Sequence, residues 1–194
     1  MNRRHFVSRI AGSGLLVATA FAAGCTTTGT GAKSDTAAKK QEIDAGVDGA
    51  LNRLYSSVNG SRELGQKAQG ILVFPRVIAA GFIVGGEYGE GSLRSHGATV
   101  GYYSTAHGSF GLTAGGQSKS EIIMFMTPEA YQKFLSSAGW TAGADANVAV
   151  AKVGANGQLD TLTSQQPVIA FVQANAGLMV DVSLNGAKIT KLNL

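Results

Sequence analysis

Apolar positions recur along this chain first at helical spacing and then at strand spacing. Between Thr36 and Val58, Ile43, Val47, Ala50, Leu51, Leu54 and Val58 fall three, four and seven apart, on one side of a helix. Lys39, Lys40, Glu42 and Asp44 occupy its first turns, and Asn59-Gly60 supplies a stop. Gly46 and Gly49 weaken the helix by ~1 kcal/mol each against Ala. A second short helix is predicted from Ser61 towards Gln69, ending at Gly70.

Beyond Gly70 short β-type runs alternate with glycine-rich stretches. Strands are predicted at Ile71–Phe74, stopped by Pro75, and at Ile78–Val84, Ala98–Ser104, Ser109–Ala114 and Glu121–Met126. Gly85–Gly91 reads as close backbone turns within a twisted sheet. Pro128–Ser136 is helical, with Pro128 suited to the first turn and Tyr131, Phe134 and Leu135 on one side. Ala144–Val153 fits either state, being rich in both Ala and Val. Val168–Gln173, Leu178–Leu184 and Ala187–Leu192 close the chain as strands, and Asn185-Gly186 predicts a hairpin between the last two. N-terminal helices followed by a mostly antiparallel, glycine-rich β domain with one internal helix make the class α+β.

Composition fits that picture. The 194 residues are 44% hydrophobic and only 14% charged, which excludes a wholly disordered chain. Glycine is frequent, at 27, but shows no three-residue period, so a collagen-like chain is excluded too.

The N-terminus changes the charge picture. The formal net charge is +4, yet Arg3, Arg4 and Arg9 lie in a segment without acidic residues. Taking those three from the 16 Lys and Arg leaves 13 against 12 Asp and Glu. The remainder is nearly neutral, which argues against nucleic acid as a partner. Residues 1–24 have the form of a signal peptide: a basic start, an apolar stretch from Ile10 to Ala23 that is short for a membrane span, and small residues before Cys25. Arg3-Arg4-His5-Phe6-Val7 resembles a twin-arginine export signal, and Ala22-Ala23-Gly24-Cys25 resembles a bacterial lipobox. Those resemblances imply a diacylglyceryl group on the Cys25 thiol and a further acyl chain, such as palmitate, on its freed amine. Cys25 is the only cysteine, so it has no intramolecular disulfide partner. Two or more acyl chains anchor stably where one does not. Residues 25–35 then form the acylated cysteine and a flexible tether, and 36–194 the folded domain. Thr26 after the cysteine favours the outer membrane of a bacterial envelope, by analogy with lipoprotein sorting signals.

Candidate chemistry is sparse. The order G-G-x-x-G-x-G at Gly85–Gly91 matches neither nucleotide-binding glycine pattern, and no G-x-S-x-G elbow is present. After the signal only His96 and His107 remain, without metal-ligand spacing, so neither a metal site nor a cofactor is expected. A hydrolase would have to lean on those two histidines. Glu87 and Glu90, set among glycines, read as solvated turn residues rather than an acid and base pair. Phe74, Phe82, Tyr88, Tyr102, Tyr103, Phe110, Phe125 and Trp140 are core candidates. Lys39, Lys40, Arg53, Arg62 and Lys67 could contact anionic headgroups if the first helix lies on a membrane. Alternatively, that helix packs on the β domain with its charges in water.

Three ordered blocks resemble the SYLF domain family. The first is Gly70–Val77 with Ala80–Gly91. The second is Ser109-Phe110-Gly111-Leu112, Ala114–Gln117 and Ile122–Met126. The third is Gly177–Gly186. The likeness spans about Asp35 to Leu194. It implies a lipid-binding, non-enzymatic domain, with phospholipid as partner and exported lipoproteins as its bacterial branch. The competing expectation is a structural or partner-binding envelope protein whose lipid is only a tether.

Overall fold

The structure, a computed structural model, describes residues 30–81, 84–110, 117–152, 159, 164–174, 177–179 and 182–194. The fold is α+β. Helices α1 (Thr30–Ser57) and α2 (Ser61–Lys67) precede β1 (Gly70–Gly81), β2 (Val84–Ser95), β3 (Ala98–Phe110) and β4 (Gln117–Phe125). Helix α3 (Pro128–Ser136) follows, then β5 (Trp140–Thr141), β6 (Ala149–Val150), β7 (Val168–Ala174), β8 (Gly177–Met179) and β9 (Lys188–Leu192). The strands form one sheet in the order β5-β9-β3-β2-β1-β4-β7-β6, with β8 beside β7. Every pairing between named strands is antiparallel except that of β6 with β7.

The sheet curls. Trp140 of edge strand β5 lies 6.0 Å, ring to ring, from Phe125 of β4, although β9, β3, β2 and β1 separate those strands in the sheet. The concave inner face holds Leu72, Phe74, Val77, Leu93, Tyr103, Ile123, Phe125 and Val172, closed by Phe134 of α3 and by Trp140. Phe134 stacks 4.7 Å from Phe125 and 5.1 Å from Tyr103. The outer face carries Ile71, Val73, Ile122, Met124, Ile169 and Phe171, covered by Ile43, Val47, Ala50, Leu54 and Val58 of α1. The predicted apolar stripe of the first helix is thus core, buried on the sheet.

Local chemistry explains the ends of these elements. Buried Ser61 donates to the carbonyls of Val58 at 2.7 Å and Leu54 at 3.2 Å, satisfying the frayed end of α1. Thr127 caps α3 by accepting from the Ala130 N–H, ahead of Pro128. Phe134 is buried as expected, but Leu135 is 42% exposed.

Four expectations are corrected. Helix α1 begins at Thr30, so residues 30–35 of the expected tether are helical. Pro75 does not stop a strand: β1 runs through it, and the register shifts between Val73 and Arg76 on one side and Phe74 and Val77 on the other. That is a β-bulge, a place where a strand tolerates proline. Gly85–Gly91 is not a set of turns but part of β2. A Cβ on Gly91 would sit 1.9 Å from the Val73 carbonyl oxygen, and one on Gly89 2.8 Å from that of Arg76. These two glycines are what lets the bulge press against its neighbour. Finally, Asn185-Gly186 forms a turn closed by Ala187 N–H to Leu184 O, but joins no hairpin, since β8 pairs with β7 and β9 with β3 and β5. The tight hairpin lies instead at His96-Gly97 between β2 and β3, with φ of 50° and 82°.

Candidate functional site

The bulge decides which side chains face which way. Before it, Leu72 and Phe74 point inward; after it, Val77 does so, and Arg76 and Ile78 emerge on the outer face. There they border a groove of about 580 Å³ between α1 and the β1–β2 pair. Its floor and walls include Ile43, Pro75 and Ile78, and α1 packs so near that a Cβ on Gly46 would lie 3.0 Å from Pro75 Cγ. Ile78 is 44% and Tyr88 51% exposed along it, an unusual display for large apolar side chains.

The groove has different ends. Lys39 lies towards one, paired with Glu90 at 2.9 Å; Tyr88 donates to the same carboxylate at 2.9 Å. Arg53 lies towards the other, while Arg76 is the cross-strand partner of Glu90; both arginines also border an adjoining hollow with Ser118, Lys119, Ser120 and Gln173. At ~1.5 Å per residue, Lys39 and Arg53 are about 21 Å apart along α1.

The five basic residues expected to act together are therefore distributed. Lys40 lies over the Tyr102 ring at 5.7 Å, and Arg62 over Tyr55 at 4.8 Å. Lys67 is exposed at the end of α2. Of the five, only Lys39 and Arg53 border the groove. Arg76, which also borders the groove, was not among the candidates. Its exposure depends on the bulge, and only the awkward Pro75 hinted at that. Cys25, Arg3 and Arg4 lie outside the described residues.

Helix α1 is fastened beside the groove by Asp44. Its carboxylate accepts from Tyr102 at 2.8 Å and from Ser92 and Thr99 at 3.0 Å each, with Arg94 at 3.4 Å. Burial opposes its charge, yet the hydroxyl donors and Arg94 outweigh that and hold its pKa below the usual value.

On the inner face, the apolar core gives way to charge at the end of the sheet where β2 begins. Glu87 sits directly opposite His107 in the β2–β3 register, while Lys119 and Glu121 alternate onto the same face of β4. His107 Nε2 and Lys119 Nζ each lie 2.6 Å from Glu87 Oε2. Lys119 Nζ is 3.3 Å and His107 Nε2 3.8 Å from Glu121 Oε1. The contact with His107 leads the effects that draw the Glu87 pKa down to about 2, burial opposing and Lys119 assisting. Glu121 is 1% exposed, and burial pushes its pKa up. Glu87 is thus not the solvated turn residue expected from its glycine neighbours. His96 is far from this group, in the β2–β3 turn.

Curled antiparallel sheet, long outer helix and inner closing helix together define a single-layer α+β domain with a groove on its helical face. Residues 106–193 match the Ysc84 family model, described as Las17-binding protein actin regulator, which supports the SYLF-type domain expected from the sequence. The match covers β3 from Ala106 to β9, including His107, Lys119 and Glu121, while the α1–β1–β2 groove lies largely before it. No curated protein matches the chain. Among the described residues no helix is long and apolar enough to cross a membrane.

Proposed function

We propose that the chain is a bacterial envelope lipoprotein, exported by a twin-arginine signal and held on the outer membrane by acylated Cys25, whose domain binds phospholipid without catalysing a reaction. One acyl chain lies in the α1–β1–β2 groove, and Arg53 and Arg76 take the headgroup phosphate. The observation that carries this reading is an open groove with an apolar floor, bordered by two guanidinium groups that also share the adjoining hollow. Its reach of about 21 Å along α1 exceeds one leaflet, about 15 Å of a hydrocarbon core ~30 Å thick. Shallow insertion of α1 is the weaker mechanism, because its apolar stripe is already buried on the sheet.

Vesicle co-sedimentation of the mature chain with Cys25→Ser tests this. Binding is expected to favour phosphatidylglycerol over phosphatidylcholine. Arg53→Glu with Arg76→Glu should weaken it by at least about tenfold, since each cation near an anionic surface contributes ~1 kcal/mol. Ile78→Asp should weaken binding to both lipids. Absence of vesicle binding would overturn the reading. The exposed Ile78 and Tyr88 would then favour a protein partner, the kind of role the family description names, to be sought in envelope extracts.

A further inference from the structure

The inner charged group lies on the face opposite the groove; of its members only Lys119 also borders the hollow beside the groove. Three of its donor atoms, one each from Glu87, His107 and Glu121, lie within 4.8 Å of one another. They come from three strands of the antiparallel run β3-β2-β1-β4: β2 and β3 in direct register, and β4 across β1. The strands fix the backbone, so these side chains converge without loop rearrangement.

Their hydrogen bonding is incomplete. Glu87 Oε2 and Glu121 Oε1 face Lys119 and His107 at 2.6–3.8 Å. Among the described residues, His107 Nδ1 and the Thr105 hydroxyl, on the same face of β3, are buried without hydrogen-bond partners. Buried polar atoms rarely go unpaired in native proteins. Among the described residues Arg94 Nε, Trp140 Nε1 and Gln173 Oε1 also lack partners, but the His107 and Thr105 atoms lie beside the point where a cation would meet all three ligand side chains. Lys119 Nζ already bridges both carboxylates, doing with an ammonium what a metal ion would do. Its head is mobile on a four-carbon stem, whereas the two glutamates and His107 are not replaceable by one another.

We propose that Glu87, His107 and Glu121 form a divalent-cation site suited to Zn²⁺, whose place Lys119 takes when the ion is absent. One imidazole nitrogen and two carboxylate oxygens are a zinc set with a fourth position open to water. Zinc binds as Lys119 swings away, still protonated, and His107 coordinates through the Nε2 lone pair, releasing any proton held there. The charge then closes: two carboxylates balance one divalent ion around a neutral imidazole. The short His107–Glu87 contact must open, since ligands about 2.0–2.2 Å from a tetrahedral ion lie over 3 Å apart.

The test uses the full chain with Zn²⁺ in thermal unfolding and Co²⁺ in visible absorption. At zinc a hundredfold above Kd, the melting temperature should rise by about 5–10 °C. Co²⁺ should give d–d bands without sulfur charge transfer, which separates this site from Cys25. His107→Ala and Glu121→Gln should each weaken binding at least tenfold. Lys119→Met should act in the opposite direction, binding metal more tightly and gaining more from zinc, because the competing ammonium is gone. If His107→Ala fails to fold, Glu87→Gln and Lys119→Met still decide. The proposal falls if zinc gives no shift, if binding survives His107→Ala but is lost in Cys25→Ser, or if Lys119→Met weakens it. None of these outcomes bears on vesicle binding.

Discussion

Asp44 and Glu121 are both carboxylates pressed against one sheet, from opposite faces, and their pKa values move in opposite directions. At Asp44 burial is overcome by three hydroxyl donors and Arg94, all within 3.4 Å. At Glu121 burial prevails, although Lys119 is 3.3 Å away. The difference lies in burial and in donors. The Asp44 side chain is 29% exposed and meets three hydroxyls, which makes it a fastening for α1, whereas that of Glu121 is 1% exposed with Lys119 and His107 beside it. A fastening is complete in itself; the inner group has room for a ligand.

The most damaging way to break this comparison is to remove what both sides share, the β1 bulge. Gly91→Ala would place a methyl group 1.9 Å from the Val73 carbonyl oxygen and 2.8 Å from Phe74 Cδ1. The obstacle is largely backbone, so the strand must move. We expect a loss at or above the upper end of the about 1–3 kcal/mol typical of overpacking, seen as a lower urea midpoint. Since the bulge turns Arg76 and Ile78 outward, vesicle binding should fall as well. Unchanged stability and binding would show that the bulge does not need the glycine.

Asp44→Asn separates the two faces at smaller cost. The amide keeps one acceptor oxygen but no charge, and about 2 kcal/mol should be lost, as for hydrogen bonds to a charged group. The sign of the pH dependence follows from the lowered pKa. The Asp44 contribution is fully present above the unfolded value of about 3.9 and is lost as pH falls through the lower folded value. Urea midpoints measured from neutral to strongly acidic pH should show a constant advantage of the native chain that shrinks at the acid end. A gap that persists there would mean shape, not charge, holds α1. The inner zinc response should be unchanged in this variant.

Much of this architecture was readable from the chain. The α1 stripe, the span of α3 and the apolar runs of β4 and β7 follow from periodicity and caps, which are local. What was unreadable depended on register. Phe74 and Tyr88 look equally apt for a core, yet Phe74 points into the curl, while Tyr88 on β2 shares the outer face of its cross-strand partner Ile78, beyond the β1 bulge. The inner site needed the same knowledge. Glu87, His107, Lys119 and Glu121 are scattered in sequence, and only strand pairing gathers them. A partial signal was present: Lys119 and Glu121 stand two apart, on one face, at the start of an otherwise apolar strand. Asp44 was visible as a charge in the helix, but its four partners lie on β2 and β3, far along the chain.

Lys39 gives the smallest effect and the finest test of the contrast between a fastening and a nearby charge. Its ion pair with Glu90 resembles the Arg94–Asp44 contact on paper, and the pairing raises the Lys39 pKa through its hydrogen bond to Glu90. Lys39 nevertheless stands in water, where screening and side-chain entropy cancel most of what an ion pair gains. Lys39→Ala should therefore leave the urea midpoint unchanged within error. Its effect on vesicle binding should also be slight beside that of Arg53→Ala, because Glu90 already neutralises the lysine while Arg53 shares the adjoining hollow with a second guanidinium, that of Arg76. If Lys39→Ala instead cost as much binding as Arg53→Ala, the headgroup would span both ends of the groove. The acyl chain would then have to enter from its open side, past Ile78 and Tyr88.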